Sequence, residues 1–403
     1  MFFSACVKSE VRNSGEPRAR AERNRTSYIT LIAAGDNLIN DIIYNRARVD
    51  DERSFDFDPS YTHIKSIIQS ADIAFVNQES MMGGTQFGYS GFPMFNSPQQ
   101  AGLGILNAGF TVINLAHNHA MDRGERVVFG TMDFFDSHEI MYLGVFRTEE
   151  IRNNERRIID KNGIKVGFLA YSYSLNGFAL PRDKPWLVAV TERAVMAREI
   201  NNLRPHCDLL VVSLHWGDEF SDTVNSWQRD LVAFMAEHNV DLILGHHPHV
   251  TAPLETVQRP DGGQLTVFYS LGDFLSHTHS RSTPNTITGA LAYIRIKKTW
   301  DNNTVSTVID YTGVIPTVSH YSRERTPFVV YPLWDYTDEL ASVHAVGTIF
   351  GWNWGTITVN QLYSVANRIF PGRVIDKNQY EELQNYIVQN SRNTGNSRRN
   401  HFK

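Results

Sequence analysis

Residues 110–124 read FTVINLAHNHAMDRG. An apolar run ends abruptly in His117, Asn118 and His119, with Asp122 and Gly124 close behind. The run has the composition of a strand. Two imidazoles, an amide and a carboxylate at its end exceed what a structural turn requires, so the stretch asks for a partner: a metal, a substrate, or both.

The same punctuation recurs along the chain. YITLIAAGD (28–36) ends on Asp36, DIAFVN (72–77) runs through Asn77 to Glu79, DLLVVSLHW (208–216) leads to His215 and Glu219, and VDLILG (240–245) leads to His246, His247 and His249. IKVGFLAYSY (164–173) and LTVFYSLGDF (265–274) are further strands. Helical segments separate them. One is expected over 60–70. A second starts at Ser97-Pro98, with Ser97 as its cap, and ends at Gly109. Others cover 125–138, 191–203 with Thr191 as N-cap, and 225–239. Strands rich in Val, Ile and Leu on both faces, alternating with helices, indicate an α/β fold with a mainly parallel sheet covered on both sides. Such a sheet gathers the carboxyl ends of its strands on one edge. Five polar clusters are therefore expected to meet in space.

LAYIRIKK and TVIDYTGVI read as an antiparallel pair at a sheet edge. Beyond residue 320 the character changes: aromatic and turn residues fill 325–355, and helices follow near 358–369 and 377–390. The expected division is a flexible tether over 1–28, a main domain over 29–320, and a helical C-terminal extension over 321–403 that ends in a disordered basic tail.

Composition narrows the function. A hydrophobic fraction of 42% and a charged fraction of 20% are those of a soluble globular protein. The net charge of −5 provides no basic field, so nucleic acid is not an expected partner. Cys6 and Cys207 suggest no disulfide framework, and no apolar run reaches membrane-spanning length. MFFSAC resembles the end of a lipoprotein signal, with Cys6 to carry the lipid, but few residues precede it. Two placements stay open: a cell-envelope protein anchored through Cys6, or a cytoplasmic one with an unprocessed N-terminus.

The clusters suggest a metal centre. His247 and His249 flank Pro248 in an extended His-x-His, which brings two rings within reach of a metal or a metal pair. His215 alone reads as a strand-end histidine, and Asp36 alone as a turn carboxylate. Together, imidazole and oxygen donors suit Mn, Fe or Zn. A carboxylate can bridge two cations, and a histidine beyond them can move a proton.

The motifs GDNLI, VNQES, FNSPQQAGLGILNAGFTVINLAHNHAMDRG, NGIKVGFLAYSY, SLHWGDE, LGHHPHVTAPLE and YSLGDFL occur in order between about residues 29 and 320. In these the chain resembles the bacterial CapA family of poly-γ-glutamate capsule synthesis proteins, whose fold is similar to the calcineurin-like metallophosphoesterases. The resemblance implies a metallophosphatase-like layered α/β sandwich holding one or two divalent transition metals. Asp36 and His249 would serve one cation. Asn118, His215 and His247 would serve the other, with Glu79 between them. His119 would be the proton donor, with Asp122 supporting its ring, and Asn77, His117, Glu219 and Asp273 would face the substrate.

Three positions depart from the pattern. Leu38 stands where phosphoesterases usually carry histidine. His117 replaces a usual asparagine and could be a ligand, a substrate contact or a strand-end hydrogen bonder, with the last two favoured. Asp273 stands where relatives carry asparagine. The implied function is a cell-envelope protein of capsule synthesis that binds or hydrolyses a phosphoester or amide of an anionic substrate, with an anionic polymer and a membrane polymer-synthesis complex as partners. A non-catalytic metal-binding assembly subunit and a general metallophosphoesterase are the alternatives. Loops 80–96, 174–188 and 276–286 would choose the substrate.

Overall fold

A computed structural model describes residues 24–49, 54–277, 283–301, 304–324, 326–347 and 356–392. Fourteen strands follow in chain order: β1 (Asn24–Asn37), β2 (Ile73–Gln78), β3 (Val112–Asn114), β4 (Met141–Leu143), β5 (Ile158–Lys161), β6 (Ile164–Ser172), β7 (Leu209–His215), β8 (Leu242–His246), β9 (Thr251–Gln258), β10 (Gln264–Leu271), β11 (Asp273–Leu275), β12 (Thr288–Asp301), β13 (Thr304–His320) and β14 (Val329–Pro332). They divide between two sheets. One has the order β14-β13-β12-β1-β2-β3-β4 with β11 beside β1, and the other β5-β6-β7-β8-β10-β9. Strands β1 to β4 run parallel, as do β6, β7, β8 and β10.

A strand that is apolar on both faces needs two covers, and here one cover is the other sheet. Along β1, Ile29, Leu31 and Ala33 face the inter-sheet core with Phe168 and Val211, whereas Ile32 and Ala34 face a second core shared with the helices Gln99–Ala108 and Glu125–Ser137. Along β7, Leu209 and Val211 point between the sheets, while Leu210, Val212 and Leu214 meet the helices Arg193–Leu203 and Ser226–Glu237. This is the period of two expected of a strand. Each fully buried aliphatic side chain contributes about 1.5–3 kcal/mol by leaving water. The layered α/β sandwich is thus built on two facing sheets, where periodicity alone suggested one.

Several local expectations need correction. The helix expected over 60–70 is two short ones, Asp58–Tyr61 and Lys65–Gln69. Between them the Thr62 hydroxyl donates to the Asp58 carbonyl, a side-chain bond of the kind that bends helices. Ser97 does not cap the next helix. Pro98 holds that position, and the Ser97 hydroxyl bonds the Ile39 carbonyl and Ser80 instead. Gly109 does end this helix, at φ 113°. Thr191 is not a cap either, since Glu192 precedes Arg193–Leu203 without a side-chain bond. Strand β12 lies inside its sheet against β1, and β14 forms the edge. Strand β9, unforeseen, closes the other sheet antiparallel to β10.

Strand β1 begins at Asn24, so residues 24–28 belong to a sheet and not to a tether. Residues 1–23, with Cys6, and the tail over 393–403 lie outside the described residues. The C-terminal helices form close to where they are expected, at Val359–Ile369 and Lys377–Arg392. Ile369 and Phe370 enter the inter-sheet core, and Tyr386 meets the Tyr28 hydroxyl at 3.2 Å.

Candidate metal centre

The carboxyl ends of β1, β2, β3, β7 and β8 converge at one edge of the sandwich, as open parallel sheets require. Strand β1 reaches it through Gly35. A Cβ at that position would lie 1.9 Å from the Gly272 carbonyl oxygen, so only glycine lets β1 approach the turn into β11. The next residue, Asp36, is fully buried and pairs in register with Asn77 on β2 and Asp273 on β11. Asn77 donates to Asp36 Oδ1 at 2.8 Å and accepts from Asn114 at 2.7 Å. The His247 backbone N–H donates to Asp36 Oδ2 at 3.1 Å. Burial pushes the Asp36 carboxyl upward, but the imidazoles of His246 and His249, each 3.4 Å away, outweigh it and hold the group well below the usual carboxylate range.

Glu79 has the opposite situation. It is fully buried, and neither carboxylate oxygen has a hydrogen-bond partner among the described residues. Burial pushes its carboxyl well above the ordinary value, and the Coulombic pull of His249 only partly offsets this. A buried carboxylate without a partner costs several kcal/mol. Native interiors do not usually leave such a group alone.

Three imidazoles surround Glu79, each tied on one nitrogen by an outer partner. His249 Nδ1 lies 2.9 Å from Asp273 Oδ1, His247 Nε2 3.0 Å from the Tyr173 hydroxyl, and His215 Nδ1 3.4 Å from the Asn77 amide. The inner nitrogens face the carboxylate. His215 Nε2 is 3.4 Å and His249 Nε2 3.7 Å from Glu79 Oε1, and His247 Nδ1 is buried without a hydrogen-bond partner among the described residues. Outer bonds of this kind fix ring orientation and tautomer in metal sites. Burial, with the neighbouring His249, lowers the His247 imidazole to about 3, leaving it neutral as a ligand must be.

The loop carrying two of these rings is strained to present them. His247 and His249 have φ of 99° and 57°, on either side of Pro248. Backbone held in that region costs about 1–3 kcal/mol per residue and concentrates at functional sites.

Three groups of side chains bring ligand atoms within 4.8 Å of one another: Asp36, Glu79 and His249; Glu79, His215 and His247; and Glu219, His247 and His249. Glu79 belongs to the first two, so the arrangement can hold one or two cations with this carboxylate between them. All donors are imidazole or carboxylate, a set suited to Mn, Fe or Zn. Asn118 joins through Oδ1, which accepts from His215 Nε2 at 2.9 Å, while its Nδ2 has no partner among the described residues. Leu38 is buried and offers no ligand atom.

Beside this centre, His119 Nδ1 lies 2.8 Å from Asp122 Oδ2, which also accepts from the Phe95 backbone N–H at 2.9 Å. Asn176 Nδ2 is 3.3 Å from the same nitrogen, and the Phe95 ring meets His119 edge-on.

The four expected substrate contacts separate here. Glu219 is exposed and reaches His247 and His249 at the mouth. Asn77 and Asp273 are buried, and their polar atoms are engaged: Asn77 by Asp36, His215 and Asn114, Asp273 by His249 and Ser276. Their place is in the framework. His117 is fully buried, and neither ring nitrogen has a hydrogen bond among the described residues, which removes the strand-end hydrogen-bonding role. Its ring centroid is 6.1 Å from that of His215.

Sequence reasoning missed Tyr173 and gave His246 no role of its own. Tyr173 directly follows β6 in the motif YSYS, so its strand-end position was the available signal. His246 Nδ1 lies 3.4 Å from Asp36 Oδ1, and its ring stacks on Phe75. In GHHPH nothing distinguishes it from its neighbours.

Residues 30–278 match the family described as bacterial capsule synthesis protein PGA_cap. The chain is 29% identical over 213 residues to the PGA biosynthesis protein CapA of Bacillus subtilis, covering 53% of this chain and 54% of that protein. It is 29% identical over 177 residues to the capsule biosynthesis protein CapA of Bacillus anthracis, covering 42% of this chain and 41% of that one. The match thus spans about half the length of these relatives or less. Among solved structures, a phosphatase from Mycoplasma pneumoniae shares 16% identity at a TM-score of 0.43 over 73% of this chain and 94% of its own. A calcineurin-like phosphoesterase from Bacillus subtilis shares 11% at a TM-score of 0.40 over 90% and 99%. Both are distant likenesses.

Proposed function

The chain belongs to the bacterial capsule synthesis protein family PGA_cap, and from this we propose that it is a metal-dependent hydrolase of envelope polymer synthesis, acting on a phosphoester or amide of an anionic substrate. The observation that carries the proposal is Glu79: a fully buried carboxylate with two unpartnered oxygens, ringed by imidazoles whose inner nitrogens face it. Protonation would remove its charge and still leave it without a hydrogen-bond partner. A cation satisfies it. Asp36, Glu79 and His249 would hold one cation, and Glu79, Asn118, His215 and His247 a second. Bound there, a divalent transition metal supplies Lewis-acid polarisation of a substrate oxygen.

The remaining chemistry belongs to the protein. Asp122, anchored by the Phe95 N–H, accepts the Nδ1–H of His119 and so fixes the ring. As the imidazolium, His119 gives its Nε2 proton to the leaving group and is left neutral, with its Nδ1–H still on Asp122. Glu219 at the mouth meets the substrate or a cation. Two exposed apolar side chains stand near this centre: Phe92 meets Phe95, which packs on His119, and Trp227 meets Tyr173, which packs on His247.

The test is a screen of model phosphoesters and γ-glutamyl peptides against protein loaded with Mn, Fe or Zn. His119→Ala is expected to lower turnover about 10²–10⁴-fold while keeping its metal. Equal activity in the two proteins removes His119 from the mechanism. A second reading, a metal-binding assembly subunit without turnover, is favoured by Leu38, which supplies no ligand where phosphoesterases usually have histidine. Metal-loaded protein inert toward every substrate supports that reading. Lipid on Cys6 would place the protein at the envelope, and membrane fractionation that Cys6→Ala abolishes would establish the anchor.

A further inference from the structure

A second site lies away from the metal centre. The helices Glu149–Asn154 and Arg193–Leu203 stand against β6 and enclose a cavity of about 460 Å³, within the range of small-ligand pockets. None of the metal-centre residues lines it. Four guanidinium groups do, from Arg152, Arg156, Arg157 and Arg198, against two carboxylates, Glu155 and Glu199.

The pairing among these six leaves charge over. Arg152 Nε donates to Glu199 Oε1 at 2.7 Å, and the Tyr171 hydroxyl donates to Oε2 at 2.7 Å, so both oxygens of this buried carboxylate are engaged. Arg157 pairs with Glu155, and its Nε is buried without a hydrogen-bond partner among the described residues. Arg198 lies 3.9 Å from a Glu199 oxygen already held by Arg152, and its other contact is the Asn153 side-chain carbonyl at 3.5 Å. Arg156 is exposed and has no ion pair among the described residues. Two carboxylates thus neutralise two of four guanidiniums, leaving a local excess of two positive charges on a chain whose net charge is −5.

We propose that this cavity is a binding site for a small ligand carrying two or more adjacent anionic groups. Guanidinium forks match carboxylate and phosphate oxygens alike, two bonds at a time. The Arg152–Glu199–Tyr171 network holds the floor, while exposed Arg156 and the long, weak contacts of exposed Arg198 leave two guanidiniums at the rim to meet the anion. The site is independent of turnover at the metal centre.

Calorimetric titration of the full chain with tripolyphosphate and with tricarballylate tests this and distinguishes the two sources of anionic charge. Wild-type protein binds at least one probe, and preference between them identifies phosphate or carboxylate as the natural group. The double variant Arg156→Glu/Arg198→Glu weakens binding by at least about tenfold, Arg156→Gln/Arg198→Gln weakens it less, and Arg368→Glu, at an exposed site elsewhere, leaves it unchanged. Binding undiminished in the double variants places the anion elsewhere, at the metal centre for example, and overturns the proposal. So does the absence of binding by either probe.

Discussion

Among the described residues two clusters of buried histidine stand out, and they differ in what surrounds them. At the strand ends, His215, His247 and His249 share their space with Asp36, Glu79 and Asp273, and several polar atoms lack partners. Around the end of β13, His320 and His344 are also buried, with ring centroids 5.3 Å apart. There the partners are neutral. His320 Nδ1 meets the Tyr336 hydroxyl at 2.7 Å, His344 Nε2 donates to the Ser319 carbonyl at 3.0 Å, and His344 Nδ1 accepts from the Val346 N–H at 3.0 Å. Tyr321 packs on His344, and no metal-capable group of three or more forms there among the described residues. Buried imidazole by itself therefore says little. The carboxylate left unsatisfied among imidazoles marks a site.

The contrast can be broken most forcefully at Asp36. Asp36→Asn keeps the shape but removes the charge that His246 and His249 serve, and metal affinity should fall by more than about 100-fold, with any hydrolysis lost alongside. His344→Asn should leave metal content unchanged. Equilibrium dialysis of both variants against Mn and Zn decides the matter. Retained affinity in Asp36→Asn would put the cation elsewhere.

A smaller effect is expected one bond further out. Asp273→Asn keeps a hydrogen-bond acceptor for His249 but removes the charge, and affinity should drop about 10–100-fold. Tyr173→Phe frees His247 Nε2 at a half-exposed position and belongs at the low end of that range. If Tyr173→Phe exceeds Asp273→Asn in the same dialysis, the ranking of the two outer partners is wrong.

The smallest effect concerns the neutral cluster and appears only in acid. Burial lowers His320 to about 4 and His344 to about 3. The unfolded chain then binds more protons than the folded one below the ordinary imidazole value of about 6.5, so stability falls as pH drops. Their contribution is fully present above that value and is lost progressively as pH falls, down to about 4 for His320 and about 3 for His344. His344→Asn should reduce the slope of unfolding free energy against pH by up to about one proton in that window. An unchanged slope in denaturant titrations would mean that His344 is not held neutral.

Much of this could be read from the residues, because strand ends announce themselves. Asp36, Glu79, Asn118, His215, His247 and His249 each follow an apolar run, and topology alone brings such positions together. The division into two sheets was not legible, since a strand covered by helices and one covered by another sheet carry the same Val, Ile and Leu on both faces. The cap at Ser97 failed because its hydroxyl is committed to Ile39 and Ser80; at Thr191 the backbone N–H bonds the Ser172 carbonyl, and the helix begins only at Arg193. Asn77 and Asp273 resembled substrate contacts because a polar residue at a strand end looks the same whether it faces a ligand or holds a neighbour. Tyr173 was invisible because its role depends on which His247 nitrogen is free.

Elemental analysis of purified wild-type protein and Glu79→Gln, both expressed with Mn, Fe and Zn supplied, tests the central claim most directly. Wild-type protein should carry about one or two divalent transition metals per chain, as a carboxylate between two ligand groups implies, and Glu79→Gln should lose most of them. Wild-type protein free of metal under those conditions, or an unchanged metal content in Glu79→Gln, would contradict it.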